Sequence, residues 1–375
     1  MLRVGITGQA GFIGTHLFNF LNLKKDEIAT IPFTDSYFEN TEELNVFVSK
    51  CDAIVHLAAM NRHADPKVIY DTNLNLVHRL ITSLDATNSR PHLLFSSSTQ
   101  EESDNLYGKS KHDGRMLFEE WAHRNNARFT GLIIPNVFGP FGNPYYNSVV
   151  STFCHQLTHN EQPKIIIDAN LKLIYVGELV ELFYQKIMLP ATEISPARIN
   201  VQKTSENQVS EILSILENYK RLYFESHCFP KIRSPFELNL FNTFRSYIDH
   251  SSHYPVILDK NADNRGVFVE AAKTQIGGQF SFSTTIPGIT RGNHFHTRKI
   301  ERFIVIQGKA VIELRRIGTN KVLRFELNGE HPSFVDMPVW YTHNITNVGD
   351  SELITLFWIN EFFNPDDPDT FFEKV

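Results

Sequence analysis

An apolar, strand-like segment at residues 2–7 runs directly into Gly8-Gln9-Ala10-Gly11-Phe12-Ile13-Gly14 and then into a helical pattern. No other feature constrains the first half of the chain as much as this junction. In a strand–loop–helix unit the first glycine permits a tight turn. The second lets the backbone approach a pyrophosphate, and the third lets the helix lie close to the sheet. The first turn of the helix then offers its N–H groups to the phosphates. Gly8, Gln9, Gly11, Phe12, Ile13 and Gly14 are therefore expected to hold a dinucleotide.

Apolar, strand-like segments at 28–33, 53–58, 93–97 and 130–135 follow, with helical stretches between them. That alternation predicts an α/β fold, a doubly wound parallel sheet with helices on both faces. Residues 205–248 read as helical, with Ser205 as N-cap and Asn207 and Gln208 in the first turn. The polar run Asp249-His250-Ser251-Ser252-His253-Tyr254-Pro255 sets an expected boundary, giving domains 1–249 and 250–375. Beyond it come short strands at 303–307, 310–315, 322–327 and 353–359, punctuated by Gly, Asn and Pro. This is an all-β sandwich or jelly-roll pattern. With 375 residues, 42% of them apolar, each domain has material for its own core.

A net charge of −6 offers nothing to a nucleic acid or an anionic membrane surface. No apolar run approaches the roughly 20 residues of a membrane span. Cys51, Cys154 and Cys228 are odd in number and scattered, which fits a reducing cytoplasm rather than a disulfide framework.

Tyr107-Gly108-Lys109-Ser110-Lys111 places Tyr107 and Lys111 on one helix face. A nearby Lys cation lets a Tyr act as an acid near neutral pH. Ser96-Ser97-Ser98, at the end of the preceding strand, offers a hydroxyl to hold a carbonyl oxygen beside it. Added to the glycine loop, His56-Leu57-Ala58-Ala59 and Pro135-Asn136-Val137-Phe138-Gly139-Pro140 make the chain resemble the nucleotide-sugar branch of the extended short-chain dehydrogenase/reductases, over roughly residues 1–245. The resemblance implies that Ser98, or else Ser97, orients a keto oxygen and that Tyr107 donates a proton. Lys111 would bind the cofactor ribose and tune Tyr107. Leu57 and Ala58 would line the cofactor, and Asn136 and Asn147 would touch the sugar nucleotide. Where the family often carries Arg two residues before Asn136, this chain has Ile134.

In the second half, His294 and His296 alternate on a strand and so share a face. Glu301 opens the next strand and His343 lies on a later one. Imidazoles with one carboxylate suit Zn²⁺, Fe²⁺, Mn²⁺ or Ni²⁺. Gly288, His294, His296, Glu301 and Gly308 match the whole first motif of the cupin superfamily; Pro338, His343 and Asn347 match the second, with Trp340 where Gly is usual. That resemblance implies one divalent metal, Zn²⁺ first among the candidates, on His294, His296, Glu301 and His343. Arg291-Gly292-Asn293-His294 and Asp263-Asn264-Arg265-Gly266-Val267-Phe268 also resemble metal-free sugar 3,5-epimerases. There the first His is a base, a role that a metal-bound His cannot fill. Tyr341, Lys309 and His296 are the other candidates for a base.

A reductase domain followed by a cupin resembles, over essentially the whole chain, the CapF/WbjC family of capsule and O-antigen biosynthesis. Asn73, Tyr146-Asn147-Ser148-Val149-Val150 and the tail Asn364-Pro365-Asp366-Asp367-Pro368-Asp369-Thr370 are among its marks. The resemblance implies a bifunctional enzyme on a UDP-linked 4-keto-6-deoxy amino sugar, with C3 epimerised by the cupin and C4 reduced with NADPH. NADPH rests on this family alone, since the second strand runs into Phe33-Thr34-Asp35 with no Arg after it. A cytoplasmic homodimer is the family expectation. The alternative is a reductase alone, with the cupin as a structural dimerisation module.

Overall fold

In the computed structural model residues 1–190, 198–264 and 266–375 are described. The first elements are β1 (Leu2–Thr7), α1 (Phe12–Asn22), β2 (Ile28–Ile31), α2 (Thr41–Ser49) and β3 (Ala53–His56). They are followed by α3 (Pro66–Ala86), β4 (His92–Ser98), α4 (Leu106–Asn125) and β5 (Phe129–Ile134). The helices start where local chemistry says they should. Asn40 caps α2, Asp65 caps α3 with Pro66 in its first turn, and Asn105 caps α4. β3 and β5 are buried along their whole length, as strands covered on both faces must be.

The chain continues through β6 (Asn136–Phe138), α5 (Val149–Thr158), β7 (Asn170–Tyr175), α6 (Val176–Ile187), β8 (Arg198–Asn200) and β9 (Ser205–Gln208). The main sheet is parallel, in the order β2-β1-β3-β4-β5-β8. The strand order reverses between β1 and β3, and in doubly wound sheets ligands bind in the crevice at that point. β6, β7 and β9 form a small second sheet.

One expectation fails here. Ser205 does not cap a helix: residues 205–208 are a strand paired antiparallel with β7, Ser205 opposite Leu173. Sheet pairing overrides local capping chemistry, and α7 (Val209–Tyr219) begins only after it. The predicted 205–248 helix is also divided, into α7, a π-helical turn at Lys220–Glu225 and α8 (Pro235–Arg245).

The C-terminal part is built on two five-stranded antiparallel sheets. One is ordered Val256–Ile257, Ser333–Met337, Glu301–Gln307, Leu353–Ile359, Gln279–Thr285. The other is ordered Val322–Asn328, Lys309–Arg316, Tyr341–Asn347, Thr290–Phe295, Phe371–Phe372. Phe303, Val305, Ile312, Leu314, Val335, Met337 and Ile345 share one buried cluster. The all-β domain expected from the strand pattern is thus present. Arg265 lies outside the described residues; Lys260–Asp263 and Gly266–Val269 on either side pair as a two-stranded hairpin.

Packing divides the chain into Met1–Val149 with Asp168–Val209, and Val150–Ile167 with Ser210–Val375. A last helical turn, His250–His253, lies beyond the expected 249/250 boundary, whereas the division by packing comes earlier. The reason lies around Arg302 and Asp336, which face each other on neighbouring strands. Both are 1% exposed and paired at 2.6 Å. The Arg302 guanidinium lies between the rings of Phe229, at 4.5 Å, and Phe334, at 3.5 Å. Tyr223 donates to Asp336 at 2.7 Å, and Arg245 donates to the Met337 carbonyl at 2.9 Å. The segment 220–245 therefore covers a sheet face whose charges need it.

Burial raises the Asp336 carboxyl, but Arg302, then Arg245 and Tyr223, hold it below its ordinary value. Its contribution to stability is complete above the ordinary carboxylate pKa of about 4 and is lost as pH falls through the lower folded value. Arg302→Met is expected to lower the unfolding free energy of this unit by about 3–5 kcal/mol, because it leaves Asp336 buried without its main partner. Urea unfolding followed by tryptophan fluorescence measures this, since Trp358 stacks on Phe229 at 4.2 Å. A loss below about 1 kcal/mol would mean the pair behaves like an exposed one.

Candidate functional site

The first site gathers at the carboxyl edge of the parallel sheet. Gly8 follows β1 with φ +69, in the left-handed region that favours glycine. A Cβ there would come within 2.7 Å of the Ala58 nitrogen. The strap after β3 is pinned at the same place: Leu57 N donates to the Thr7 carbonyl at 3.2 Å and Ala58 N to Thr7 Oγ1 at 3.4 Å. Beneath it, burial pushes the His56 imidazole down to about 3, so the ring is a neutral partner for Thr7 Oγ1 at 2.7 Å. Gly11 caps α1 with extended backbone, and no side chain caps this helix. Gln9 Oε1 is buried without a hydrogen-bond partner. A helix start with no side-chain cap leaves N–H donors of its first turn unpaired, which suits a dinucleotide pyrophosphate. Asp35 opens a 3-10 turn past β2.

Ser98 ends β4, and its Oγ accepts from Gln100 N at 3.2 Å, capping the turn at Thr99–Glu102. Ser97 points the other way. It is buried and donates to Glu101, whose carboxylate is held by Arg115 at 3.0 Å. The Gln100 carbonyl lies against Gly108, where any Cβ would strike it. That close approach lays the turn after Ser98 on the first turn of α4, which carries Tyr107. Lys111, 4% exposed, donates to the Ser96 carbonyl at 3.0 Å, and its ammonium is 5.9 Å from the centre of the Tyr107 ring.

Burial pushes the Tyr107 hydroxyl up to about 12, and the Lys111 ammonium down to about 8 against the pull of Glu101. The protein alone therefore keeps Tyr107 protonated and does not supply the lowering expected from the Tyr-x-x-x-Lys pair. Asn136 and Asn147 both lie on exposed chain, on β6 and in the loop before α5.

Two residues that sequence reasoning did not place in the site tie its loops together. Asn73 accepts from Met60 N at 2.7 Å and donates to the Met60 carbonyl and to Ser110 Oγ. Ser110 in turn donates to the Tyr107 carbonyl. Arg62 donates to the carbonyls of Tyr145 and Tyr146, beside Asn147. A lone Arg in a loop carries no sequence signal for this.

The second site lies in the β-rich unit. His294 sits after a bulge at Gly292 and faces His343 in register. His296 follows directly on the end of that strand, and Glu301 begins a strand of the other sheet. The four donor atoms all lie within 4.8 Å of one another. Nε2 of His294 is 3.2 Å from Nε2 of His343. Glu301 Oε2 is 3.2 Å from Nε2 of both His296 and His343, and 3.9 Å from that of His294. Donors 2.0–2.1 Å from a tetrahedral Zn²⁺ stand about 3.3 Å apart, so the set fits such an ion.

The ring partners agree with that fit. Nδ1 of His343 lies 3.1 Å from the Tyr341 carbonyl, and Nδ1 of His296 lies 2.5 Å from the Asp369 carbonyl. A carbonyl only accepts, so both Nδ1 atoms carry the proton, and in the neutral rings both Nε2 lone pairs turn toward Glu301. A cation shared among these three groups, a proton or a metal ion, would satisfy all of them, and the Glu301 carboxylate accordingly raises the His296 pKa against its burial. Burial lowers His294 to about 4, with His343 adding to the effect. Burial raises Glu301, but His296 and His343 hold it below the usual carboxylate range.

Trp340 has φ +63, with its N bonded to the His296 carbonyl and its ring stacked on Phe295. Of the groups considered as a base, Lys309 is not at the site. His343 pairs with Leu314, and Lys309 lies five residues further along that strand, about 16 Å away.

Fold and first site together define an enzyme of the short-chain dehydrogenase/reductase class with a β-rich second domain. Residues 4–201 match the NAD dependent epimerase/dehydratase family, and residues 261–371 match the polysaccharide biosynthesis C-terminal domain. The UDP-2-acetamido-2,6-beta-L-arabino-hexul-4-ose reductase of Pseudomonas aeruginosa is 32% identical over 372 residues, covering 99% of this chain and 98% of the relative. The crystal structure of the capsular polysaccharide assembling protein CapF from Staphylococcus aureus superposes with a TM-score of 0.62 at 34% identity, covering all of both chains. The chain belongs to the CapF/WbjC family of capsular polysaccharide biosynthesis. RMD from Pseudomonas aeruginosa, solved with NADPH, is 19% identical over 59% of this chain and 83% of its own, with a TM-score of 0.53, which shows a shared fold. No helix among the described residues is long and apolar enough to cross a membrane.

Proposed function

We propose that the chain carries out two successive steps on a UDP-linked 2-acetamido-2,6-dideoxy-4-hexulose. The β-rich domain epimerises C3, and the N-terminal unit reduces C4 with NADPH. The product is UDP-2-acetamido-2,6-dideoxy-L-talose, on the route to N-acetyl-L-fucosamine for capsule or O-antigen. One observation carries this reading: a Ser/Tyr/Lys set behind a dinucleotide loop and a four-donor cluster occur in one chain. That chain also aligns along nearly its whole length with a relative named as a hexul-4-ose reductase.

The chemistry is coherent. A C4 ketone acidifies the C3 proton, because the carbanion delocalises as an enolate. Inversion follows when the proton returns from the other face. In this reading His294, His296, Glu301 and His343 would hold a divalent cation, Zn²⁺ first, which would supply positive charge to stabilise an enolate. Ligation removes His296 as a base and register removes Lys309. Tyr341 is then left, on the same strand face as His343. At the other site Ser98 orients the keto oxygen, Tyr107 donates its proton to O4, and Lys111 holds the cofactor ribose. Gly8 to Gly14, with Leu57 and Ala58, would hold NADPH, which would be the source of the hydride. Reduction removes the ketone and so traps one epimer.

The relative's name covers reduction alone, which favours a second reading: an NADPH-dependent 4-ketoreductase whose β-rich domain is a structural dimerisation module. Incubation with the UDP-linked 4-keto sugar in D₂O, with and without NADPH, separates the two by NMR. Deuterium at C3 without cofactor, followed by a single talose-type product once NADPH is added, supports both steps. Reduction with no deuterium at C3 leaves the reductase only.

A further inference from the structure

The tail 364–370 enters the second site through one residue. Asp369 is 3% exposed, with φ +40. Its Oδ1 accepts from Thr297 N at 3.0 Å and Thr297 Oγ1 at 2.6 Å. Its Oδ2 accepts from Arg298 N at 3.0 Å and Lys299 N at 2.9 Å. Three successive backbone N–H groups between His296 and Glu301 thus share one carboxylate, which supplies the acceptors a strand partner would otherwise provide. The same residue's carbonyl faces Nδ1 of His296 at 2.5 Å. Lys299 fixes the preceding carbonyl, that of Pro368, at 2.7 Å. Beyond it, Phe371–Phe372 pairs with His294 and Phe295. Residues 368–372 are therefore fastened to the segment that carries two of the four donors.

We propose that Asp369 is a positioning residue for His296. Its carboxylate grips the 297–299 loop, and this grip aims its own carbonyl at Nδ1, so that Nε2 is the atom presented to a metal. The inference rests on the reading of His294, His296, Glu301 and His343 as a metal site. Only a side chain with two acceptor oxygens serves all four donors. In Asn one oxygen becomes an NH₂ group facing backbone N–H groups.

The test uses the full chain, stripped of metal and titrated with Co²⁺, in wild type, Asp369→Asn and Asp369→Ala. Far-UV circular dichroism checks that each variant is folded. The d–d absorption of the Co²⁺ protein reports ligand geometry. In Zn²⁺-loaded, ring-¹⁵N-labelled protein, NMR reports the His296 Nδ1 proton. Both variants are expected to bind Co²⁺ about 10–100-fold more weakly, the usual cost of losing such a partner, with an altered spectrum. Wild type is expected to show a slowly exchanging Nδ1 proton on His296. Should Asp369→Ala not fold, Asp369→Asn and the wild-type proton still decide. Unchanged Co²⁺ affinity and spectrum in Asp369→Asn, or a wild-type His296 with no Nδ1 proton, would overturn the role of Asp369 alone. A wild type that binds no Co²⁺ would overturn the metal site itself, and this inference with it.

Discussion

Tyr107→Phe is expected to slow NADPH oxidation with the UDP-linked 4-keto sugar by about 10²–10⁴-fold, the range for loss of a positioned acid. Burial keeps the Tyr107 hydroxyl protonated, at about 12. The group therefore arrives with its proton, and the substitution removes that proton while leaving the ring. NADPH binding, followed by fluorescence titration, should persist, because the glycine loop and Lys111 are untouched. Deuterium exchange at C3 should persist as well, since its donors belong to the other site. If Tyr107→Phe stopped exchange in a folded protein, two separate sites would be the wrong scheme. Undiminished NADPH oxidation would instead remove Tyr107 as the acid.

His343→Ala is the complementary experiment, expected to bring bound metal to background after dialysis and to end exchange at C3. His343 is fully buried, and its Nε2 lies 3.2 Å from both His294 Nε2 and Glu301 Oε2. Removing it opens the cluster at its centre and leaves Glu301 with fewer partners to offset its burial. Metal analysis and the D₂O experiment measure the two effects, with NADPH binding as the control. Full metal retention would sink the four-donor site. Loss of metal with exchange intact would make the metal structural and return the base question to Tyr341.

Much of this molecule was legible in its residues, for a local reason. The turn at Gly8, the four-residue spacing of Tyr107 and Lys111, and the alternation of His294 and His296 are set by backbone periods of a few residues. Matching chemistry at such spacings can be read before any folding is considered. Ser97 and Ser98 were also two neighbours that strand alternation must point apart. Which of them turns inward to Glu101 depends on where the strand lies.

The remainder was decided by contacts between segments far apart in the chain. Ser205 has the chemistry of a cap, yet pairing with β7 makes it part of a strand. Lys309 could be considered as a base until register put it five residues beyond the partner of His343. The 220–245 segment belongs with the sheets because the buried charges of Arg302 and Asp336 require a cover. The sequence by itself determined the glycine turn, the Tyr107–Lys111 pair and the His294–His296 pair, because each is written in a spacing shorter than one element. Tertiary structure alone decided which residues stand behind them, Asp369 above all, because its carbonyl meets His296 across 73 positions. Such a meeting depends on how the tail packs and pairs, which no local period encodes.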